Sequence, residues 1–553
     1  MRVRPRHLVG PFFHPHTAET HMLGAPTHNH PSNMVHQFSQ VPQAEIQRSQ
    51  FDRSHSHKTA LDSGYLVPIL VDEALPGDTF NLDATFFARL ATPIVPVMDN
   101  MYLDSHFFSI PMRLVWNNWQ RMMGEQENPD DTTDFTIPQM TSPAGGYTTG
   151  SLEDHMGLPT GIAGLSHSCL WHRAYNLLWN QWYRDENLQD SVTVKKDDGP
   201  DSPTLYTLLK RGKRHDYFTS ALPWPQKGPG VEIPLGTTAP VITNTQAPTF
   251  TGAAAGWTNA PLTSVATTTT LNANAAVAGG NGALHFGNQS GLVADLSQAT
   301  AATINSLRQA FQLQKMFERD ARGGTRYIEL IKAHYGVTSP DARLQRVEYL
   351  GGGSTPVNVQ AVPQTSPTGT YATTPQGNLA GLGTLLAHNH GFTHSFTEHC
   401  LIIGLVSVRA DLSYQQGLPR MWSRKTRFDF YWPALAHIGE QAVLQKEIFA
   451  TGVALDDDKV FGYQERFAEY RYAPSMITGL FRSQAPQSLD IWHLAQDFAT
   501  APVLDAAFIE ENPPIDRVIA VPSEPQFLMD AYFKMQCSRP MPLYGTPGLI
   551  DHF

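Results

Sequence analysis

The densest set of possible metal ligands in the chain lies in AHNHGFTHSFTEHC, which carries His388, His390, His394, His399 and Cys400. Imidazole and thiolate suit Zn²⁺, and the HxH pair with Glu398 downstream is also the donor pattern of metal-dependent jelly-roll enzymes. The spacing fits no zinc finger, and the glycines that flank the motif in those enzymes are not in place. Two further HxH pairs, His28–His30 and His55–His57, have Asn and Ser in the middle. A rolling-circle nickase needs an apolar middle residue on a central strand, so these read as loop histidines. ERDARGGTRY (Glu318–Tyr327) could cradle phosphate through its Gly-Gly nest with Arg322 and Arg326 nearby. A helix stop at Gly323-Gly324 and a new start capped by Thr325 explains the same residues. Asp456–Asp458 could hold Ca²⁺, but no EF-hand spacing follows, and a solvated acidic turn is the commoner use. Walker A, GxSxG and HExxH patterns do not occur. The only enzyme reading left open is a metal-dependent jelly roll using His388–His399.

A second constellation contains no catalytic pattern. LIIGLVSVRADLSYQQGLPRMWSRKTRFDFYWP (Leu401–Pro433) and FGYQERFAEYRYAPSMITGLFRS (Phe461–Ser483) alternate Arg with Tyr, Phe and Trp. Stacked planar groups at this density are the composition of desolvated protein–protein contacts. Arg424, Arg427, Tyr431, Arg466, Tyr470, Arg471 and Tyr472 are the candidates for a subunit interface. An ordinary core strand with snorkelling arginines would look similar, and composition alone leaves both readings open.

Charged residues make up 16% of the 553, against roughly 25% in an average soluble chain, while aromatics reach 10%. A surface so poor in charge suits a protein largely covered by neighbours better than a free monomer. The net charge of −11 excludes bulk neutralisation of nucleic acid by this chain itself. Three widely spaced cysteines, Cys169, Cys400 and Cys537, argue against a disulfide framework and for folding in a reducing cytoplasm. Neither a secretory leader nor a run of about 18 apolar residues is evident, so a soluble chain without membrane insertion is expected.

Length would allow three or four domains, but no clear linker divides the chain. Residues 1–60 read as an extended arm. Up to Lys58 it holds nine His, five Arg and three acidic residues, with many Pro and no apolar face of its own. Arg2, Arg4 and Arg6 are its natural phosphate contacts. From Leu66 onward, short strands separated by Pro and Gly turns are predicted: Leu66–Val71, Ala84–Leu90, Met101–Ile110, Leu401–Val408 and Thr426–Trp432, with a type II turn at Pro76-Gly77. Helices are predicted over Ser168–Tyr183, with Ser168 as N-cap and Leu170, Ala174, Leu177 and Leu178 on one face, and over Ser306–Arg319, with Leu307, Ala310, Phe311 and Phe317 on one face. Many short strands argue for an all-β sandwich or barrel, so the helices belong to long insertions. Between Ile233 and Leu307 the only charged side chain is Asp295, among abundant Thr, Ala, Gly and Asn. Such a segment has too few large apolar residues for a core of its own.

Long aromatic-rich strings then identify a family. SGYLVPILVDEALPGDTF (Ser63–Phe80), WNNWQRMMGEQ (Trp116–Gln126), RAYNLLWNQWYRDENLQ (Arg173–Gln189), RGKRHDYFTSALPWPQKG (Arg211–Gly228), LRQAFQLQKMFERDARGGTRYIELIKAHYGV (Leu307–Val337), SPDARLQRVEYLGG (Ser339–Gly352), the Leu401–Ser483 blocks, LDIWHLAQDF (Leu489–Phe498), IDRVIAV (Ile515–Val521) and RPMPLYGTPGLIDHF (Arg539–Phe553) occur in register. Together they resemble the major capsid proteins of the small single-stranded DNA bacteriophages, the Microviridae, and within them the gokushovirus branch. Departures fall at Pro229–Ile304 and Ser354–Thr397. The resemblance implies a mainly β fold, an eight-stranded viral jelly-roll barrel over residues 61–553 with long helix-containing loops. It implies a T=1 icosahedral shell built through pentamers around circular single-stranded DNA, with no cofactor and no metal role for SFTEHCLIIGL. Residues 229–305 would form a variable protrusion at the threefold axes. There Phe250, Trp257 and Phe286 would pack together, and the protrusion would contact the host. Implied partners are further copies, the genome, a small basic DNA-binding phage protein, internal scaffolding and minor virion proteins, and a host surface receptor. Synthesis and assembly would take place in the bacterial cytoplasm, and the product would reside in the virion.

Overall fold

Alternation of apolar and polar side chains, or an unbroken apolar run, creates the strands from which the fold is built. The computed structural model describes residues 47–232, 241–243, 249–252, 260–264, 271–273, 284–286, 292–294, 304–338, 345–365 and 376–545. Its principal strands are β1 (Ser49–Asp52), β2 (His55–Leu61), β3 (Val67–Ala74), β4 (Thr79–Leu90), β5 (Met101–Pro111), β6 (Glu348–Pro363), β7 (Leu379–Ser395), β8 (Cys400–Ala410), β9 (Glu440–Leu444), β10 (Val460–Glu465) and β11 (Phe527–Arg539). Along β4, Phe80, Leu82, Ala84, Phe86, Ala88 and Leu90 point inward, while Asn81, Asp83, Phe87 and Arg89 face out. β11 repeats the pattern with Phe527, Met529, Ala531, Phe533 and Met535 inside.

These strands form one antiparallel sheet in the order β1-β11-β4-β7-β6-β5-β8-β3, with β2 also on β11. Eight positions cross the sheet, and the edge position is shared by β1 and β2, which the chain breaks at Arg53 and Ser54. The sheet curls so that inward residues from both ends meet in a single core around Phe80, Phe86, Phe107, Phe527 and Phe533. The fold is mainly β and consistent with the expected jelly roll. Residues 49–60, read from sequence as part of an arm, are instead sheet edge. Their backbone gains hydrogen bonds from β11 that their polar side chains could not replace by core packing. His55 and His57 therefore sit on a strand rather than in a loop.

Four predicted strands are present: Leu66–Val71 falls largely within β3, Ala84–Leu90 in β4, Met101–Ile110 in β5 and Leu401–Val408 in β8. The turn at Pro76-Gly77 is also present. Gly77 has φ +90°, and Asp78 N donates to Leu75 O at 3.0 Å. Thr426–Trp432 is not a strand. The Asp429 carboxylate accepts from Lys425 N, Thr426 N and Thr426 Oγ, folding the chain into a single 3₁₀ turn at Arg427–Asp429.

β8 is buried along its whole length. Ile402, Val406 and Val408 face the barrel core, while Leu401, Ile403 and Leu405 face a second core under helix α1 (Leu170–Leu178). Ser168 does not cap α1; it ends a short strand, Cys169 takes the cap position, and the helix runs into a π turn at Trp179–Tyr183. Arg173, wholly buried on α1, grips Asp201 through Nε and Nη2, both at 2.8 Å. Helix α2 (Ile304–Gly323) leaves Phe311 64% exposed, so its apolar face is narrower than the spacing suggested. Gly324, at φ +100°, ends the turn, and helix α3 (Tyr327–Tyr335) starts at Arg326, whose N donates to Glu329 Oε2; Thr325 is not the cap. Of the described residues, no helix is long and apolar enough to cross a membrane.

Candidate assembly surface

The loops between β8 and β11 carry the Arg-aromatic blocks onto the surface as a shelf supported by the β9–β10 hairpin. Beneath it a third core gathers Tyr217, Phe218, Tyr414, Val443, Ile448, Phe461 and Phe508. Arg424 is the hub. Its guanidinium lies 4.4 Å from the Tyr470 ring centroid and 5.3 Å from that of Phe430, and its Nη2 reaches Glu469 Oε1 at 3.4 Å. Arg466 stacks on Phe467 at 4.6 Å and donates to Phe428 O at 3.1 Å, and Arg427 stacks on Phe428 at 4.9 Å. Tyr431 meets Phe467 and Tyr470 ring to ring, at 5.4 and 6.4 Å. Arg471 pairs with Glu465. Stacking holds planar groups side by side with little rotamer freedom left to lose on contact.

All seven predicted interface residues lie on or beside this shelf: six contact its rings or Glu465, and Tyr472, half exposed, lines the cavity beneath it. The candidates read from the sequence do not include the exposed residues between them: Met421, Trp422, Phe428, Phe430 and Trp432, of which Trp422 is 70% exposed. Their signal was legible, since large apolar side chains in a turn-forming stretch have no core to enter. A contiguous exposed apolar patch marks a contact surface. A second such patch was missed. Phe87, Leu386, Leu528 and Tyr532 share the solvent face of β4, β7 and β11, each about half exposed.

Under the shelf opens a cavity of about 220 Å³, walled by Tyr217, Phe218, Tyr414, Pro419, Tyr472 and Pro474, with Met421 and Met476 at its rim. Two carboxylates close its floor. Glu447 accepts from Arg420 Nη1 and Tyr217 Oη, each at 2.8 Å, and Glu469 accepts from Gln441 Nε2 at 2.9 Å. Burial pushes the Glu447 carboxyl up, against the pull of Arg420. Gly417 is required here, because a Cβ would lie 2.0 Å from Glu447 O.

The histidine candidates do not converge. His388 is on the exposed face, 3.5 Å from Thr85 Oγ1, and a bulge at Asn389, with φ +61°, turns His390 to the other side. His390 points inward, held by Ser105 Oγ at 2.7 Å and Thr355 Oγ1 at 2.9 Å. His394 pairs with Glu348 at 3.8 Å, and His399 packs on Trp119. Glu398 is engaged by Arg113, and Cys400 is buried. Among the described residues, no group of His, Cys, Asp and Glu is arranged to hold a metal. Asp456 and Asp458 pair with Lys459 and Lys446, while Asp457 accepts from Thr451 N and Gly452 N, so the acidic run is a capped turn. Arg2, Arg4, Arg6, His28, His30 and Trp257 lie outside the described residues. Phe250 and Phe286 are register partners on adjacent short strands, and their side chains are not described.

A family model described as capsid protein (F protein) matches residues 39–549. The chain belongs to this phage capsid F-protein family. Among its relatives is capsid protein VP1 of Bdellovibrio phage phiMH2K, 48% identical over 94% of this chain and 98% of the relative. Capsid protein VP1 of Chlamydia phage 1 is 43% identical over 94% and 98%, and that of Spiroplasma virus 4 is 37% identical over 93% and 98%. These relatives place the F-family chain in the gokushovirus branch of the Microviridae, as its sequence strings implied. As a capsid protein it has a structural role in the virion and is not an enzyme.

Proposed function

We propose that copies of this F-family chain assemble, through pentamers, into a closed T=1 icosahedral shell around circular single-stranded DNA. The observation that carries this reading is the exposed Arg-aromatic shelf at Arg424–Trp432 and Arg466–Tyr472, in a chain whose near full-length relatives are capsid proteins. A rigid stacked surface is costly to leave in water and suited to a neighbour, and cyclic symmetry lets repeated copies close without a free edge. With a net charge of −11, the shell relies on a small basic DNA-binding phage protein to neutralise the genome. Residues 1–46 act as an arm along the inner surface, with Arg2, Arg4 and Arg6 on phosphates. Residues 229–305 form the threefold protrusion, where Phe250, Trp257 and Phe286 cluster and polar groups meet a host surface receptor. Internal scaffolding and minor virion proteins take part in assembly in the bacterial cytoplasm.

The test is expression of the chain with and without the phage's small basic protein, followed by electron microscopy and assay of nuclease-protected DNA. Uniform closed particles holding protected single-stranded DNA are expected. A monodisperse monomer under every assembly condition would remove the reading.

A further inference from the structure

The cavity beneath the shelf has the shape and chemistry of a socket for one large side chain. Its walls are aromatic and proline, its rim is two methionines, and its floor is polar. Met421 and Met476 at the rim are 53% and 65% exposed, so the mouth is open in the single chain. Two polar atoms in and beside it are buried without a partner: Nε of Arg424, whose side chain lines the cavity, and Oγ of the neighbouring Ser423. Arg424 is the same residue that anchors the shelf, so the socket is continuous with the proposed subunit interface.

The chain also presents a segment of matching chemistry. β11 ends at Arg539, which is tied down by Asp78 at 3.0 Å and by Glu73 O at 2.9 Å. Beyond that anchor runs PMPLYGTPGLIDHF, with Pro540, Pro542 and Pro547 at intervals that favour an extended backbone. Met541, Leu543 and Tyr544 are 43%, 57% and 77% exposed, and residues after Gly545 lie outside the described part. Three large apolar groups close together project into solvent in a chain that opens an apolar socket elsewhere on its surface. Extended proline-rich segments are commonly received by clefts lined with aromatic rings, which bind them with little entropy to lose. Tyrosine suits this cavity in particular, since its ring fills an apolar space while its hydroxyl can accept from an unpaired donor such as Arg424 Nε.

We propose that the segment Pro540–Gly545 of one copy docks into the cavity under the shelf of a second copy, with Tyr544 as the inserted side chain and Leu543 against the rim. Because these residues stay exposed in the single chain, the contact forms between copies. The proposal rests on the shell-assembly reading and adds to it a specific latch between neighbours.

Mixed disulfide trapping tests it in the full-length chain. Copies carrying Tyr544→Cys are co-assembled with copies carrying Met476→Cys and oxidised with diamide; Leu543→Cys and Met421→Cys serve as second positions should either variant fold poorly. The three native cysteines are free and buried, so they do not compete. The expected result is a dimer band on non-reducing gels that needs both variants and disappears with reductant. Absence of that band from assembled and unassembled material alike, for both pairs of positions, overturns the docking. A cross-link formed only within chains carrying both substitutions overturns it as well. Particles that form without the mixed disulfide refute the latch alone, whereas failure of the unaltered chain to form particles refutes the shell reading and the latch with it.

Discussion

The guanidinium carbon of Arg424 lies over the Tyr470 ring, 4.4 Å from its centroid, while Nη2 reaches the Glu469 carboxylate at 3.4 Å. The first contact fixes the plane of the surface and the second ties that plane to the hairpin below. Truncating Arg424→Ala removes both, at a cost of about 1–2 kcal/mol for the stacking in a partly desolvated setting. The folded chain should survive, as judged by an unchanged circular dichroism spectrum. Its critical concentration for assembly, read by light scattering, should rise at least tenfold. Arg424→Lys should recover little, because an ammonium keeps the charge but cannot stack as a plane.

Not all of the Leu401–Ser483 stretch is surface, and the boundary explains what sequence could reveal. β8 contributes alternate residues to two cores at once, so its apolar run is the ordinary buried strand that composition left open. The arginines and rings that follow lie on the exposed shelf that we propose as the contact surface. Within that surface the Asp429 cap makes Thr426–Trp432 a turn, a local hydrogen-bond choice between turn and strand that a β-rich composition conceals. Strand positions from β3 to β5 were legible because period-two alternation or apolar runs mark them. The pairing of β1 and β2 with β11 was not, since the partner lies more than four hundred residues away and the segment has no apolar face of its own. The histidine cluster misled in the other direction: spacing alone cannot register a bulge that leaves His388 outside and turns His390 inward.

Two buried carboxylates make a prediction about acid. Burial pushes the carboxyls of Asp104 and Asp201 up, but it is outweighed: Ser354, Arg211 and Arg409 on the first, and Arg173 and Tyr206 on the second, hold both at about 2. Both folded values lie below the unfolded one, so the stabilisation is complete above about pH 4 and is lost as pH falls towards 2, on the order of 2 kcal/mol for each group. Urea midpoints should therefore change little between pH 7 and 5 and drop steeply below 4. Asp201→Asn should lower the midpoint at neutral pH, by about 3 kcal/mol, because Arg173 stays buried without its buried counter-charge and keeps only the exposed Asp197 carboxylate, at 3.2 Å. It should also shallow the acid drop.

Loss of the arm's arginines should affect the cargo and spare the container. With Arg2, Arg4 and Arg6 all changed to Ala, particles should form in normal yield with a lower ratio of absorbance at 260 to 280 nm, because phosphate contacts disappear while sheet contacts remain. An unchanged ratio would take these residues out of packaging.

Removing the low-charge insertion should separate assembly from infection. Joining the chain across residues 233–303 with a short Gly/Ser linker deletes none of the strands β1 to β11, so shells should still form. Infectivity measured by plaque assay should fall by orders of magnitude or shift to another host. A chain that fails to fold would make the segment part of the core.

A density map of assembled particles, determined by electron cryomicroscopy, tests the central claim most directly through the surroundings of Arg424 and Tyr470. The account predicts closed T=1 shells in which a neighbouring copy covers the shelf and removes Trp422, Phe428 and Phe430 from solvent. Particles whose shelf faces open solvent, or no closed particles under any assembly condition, would contradict it.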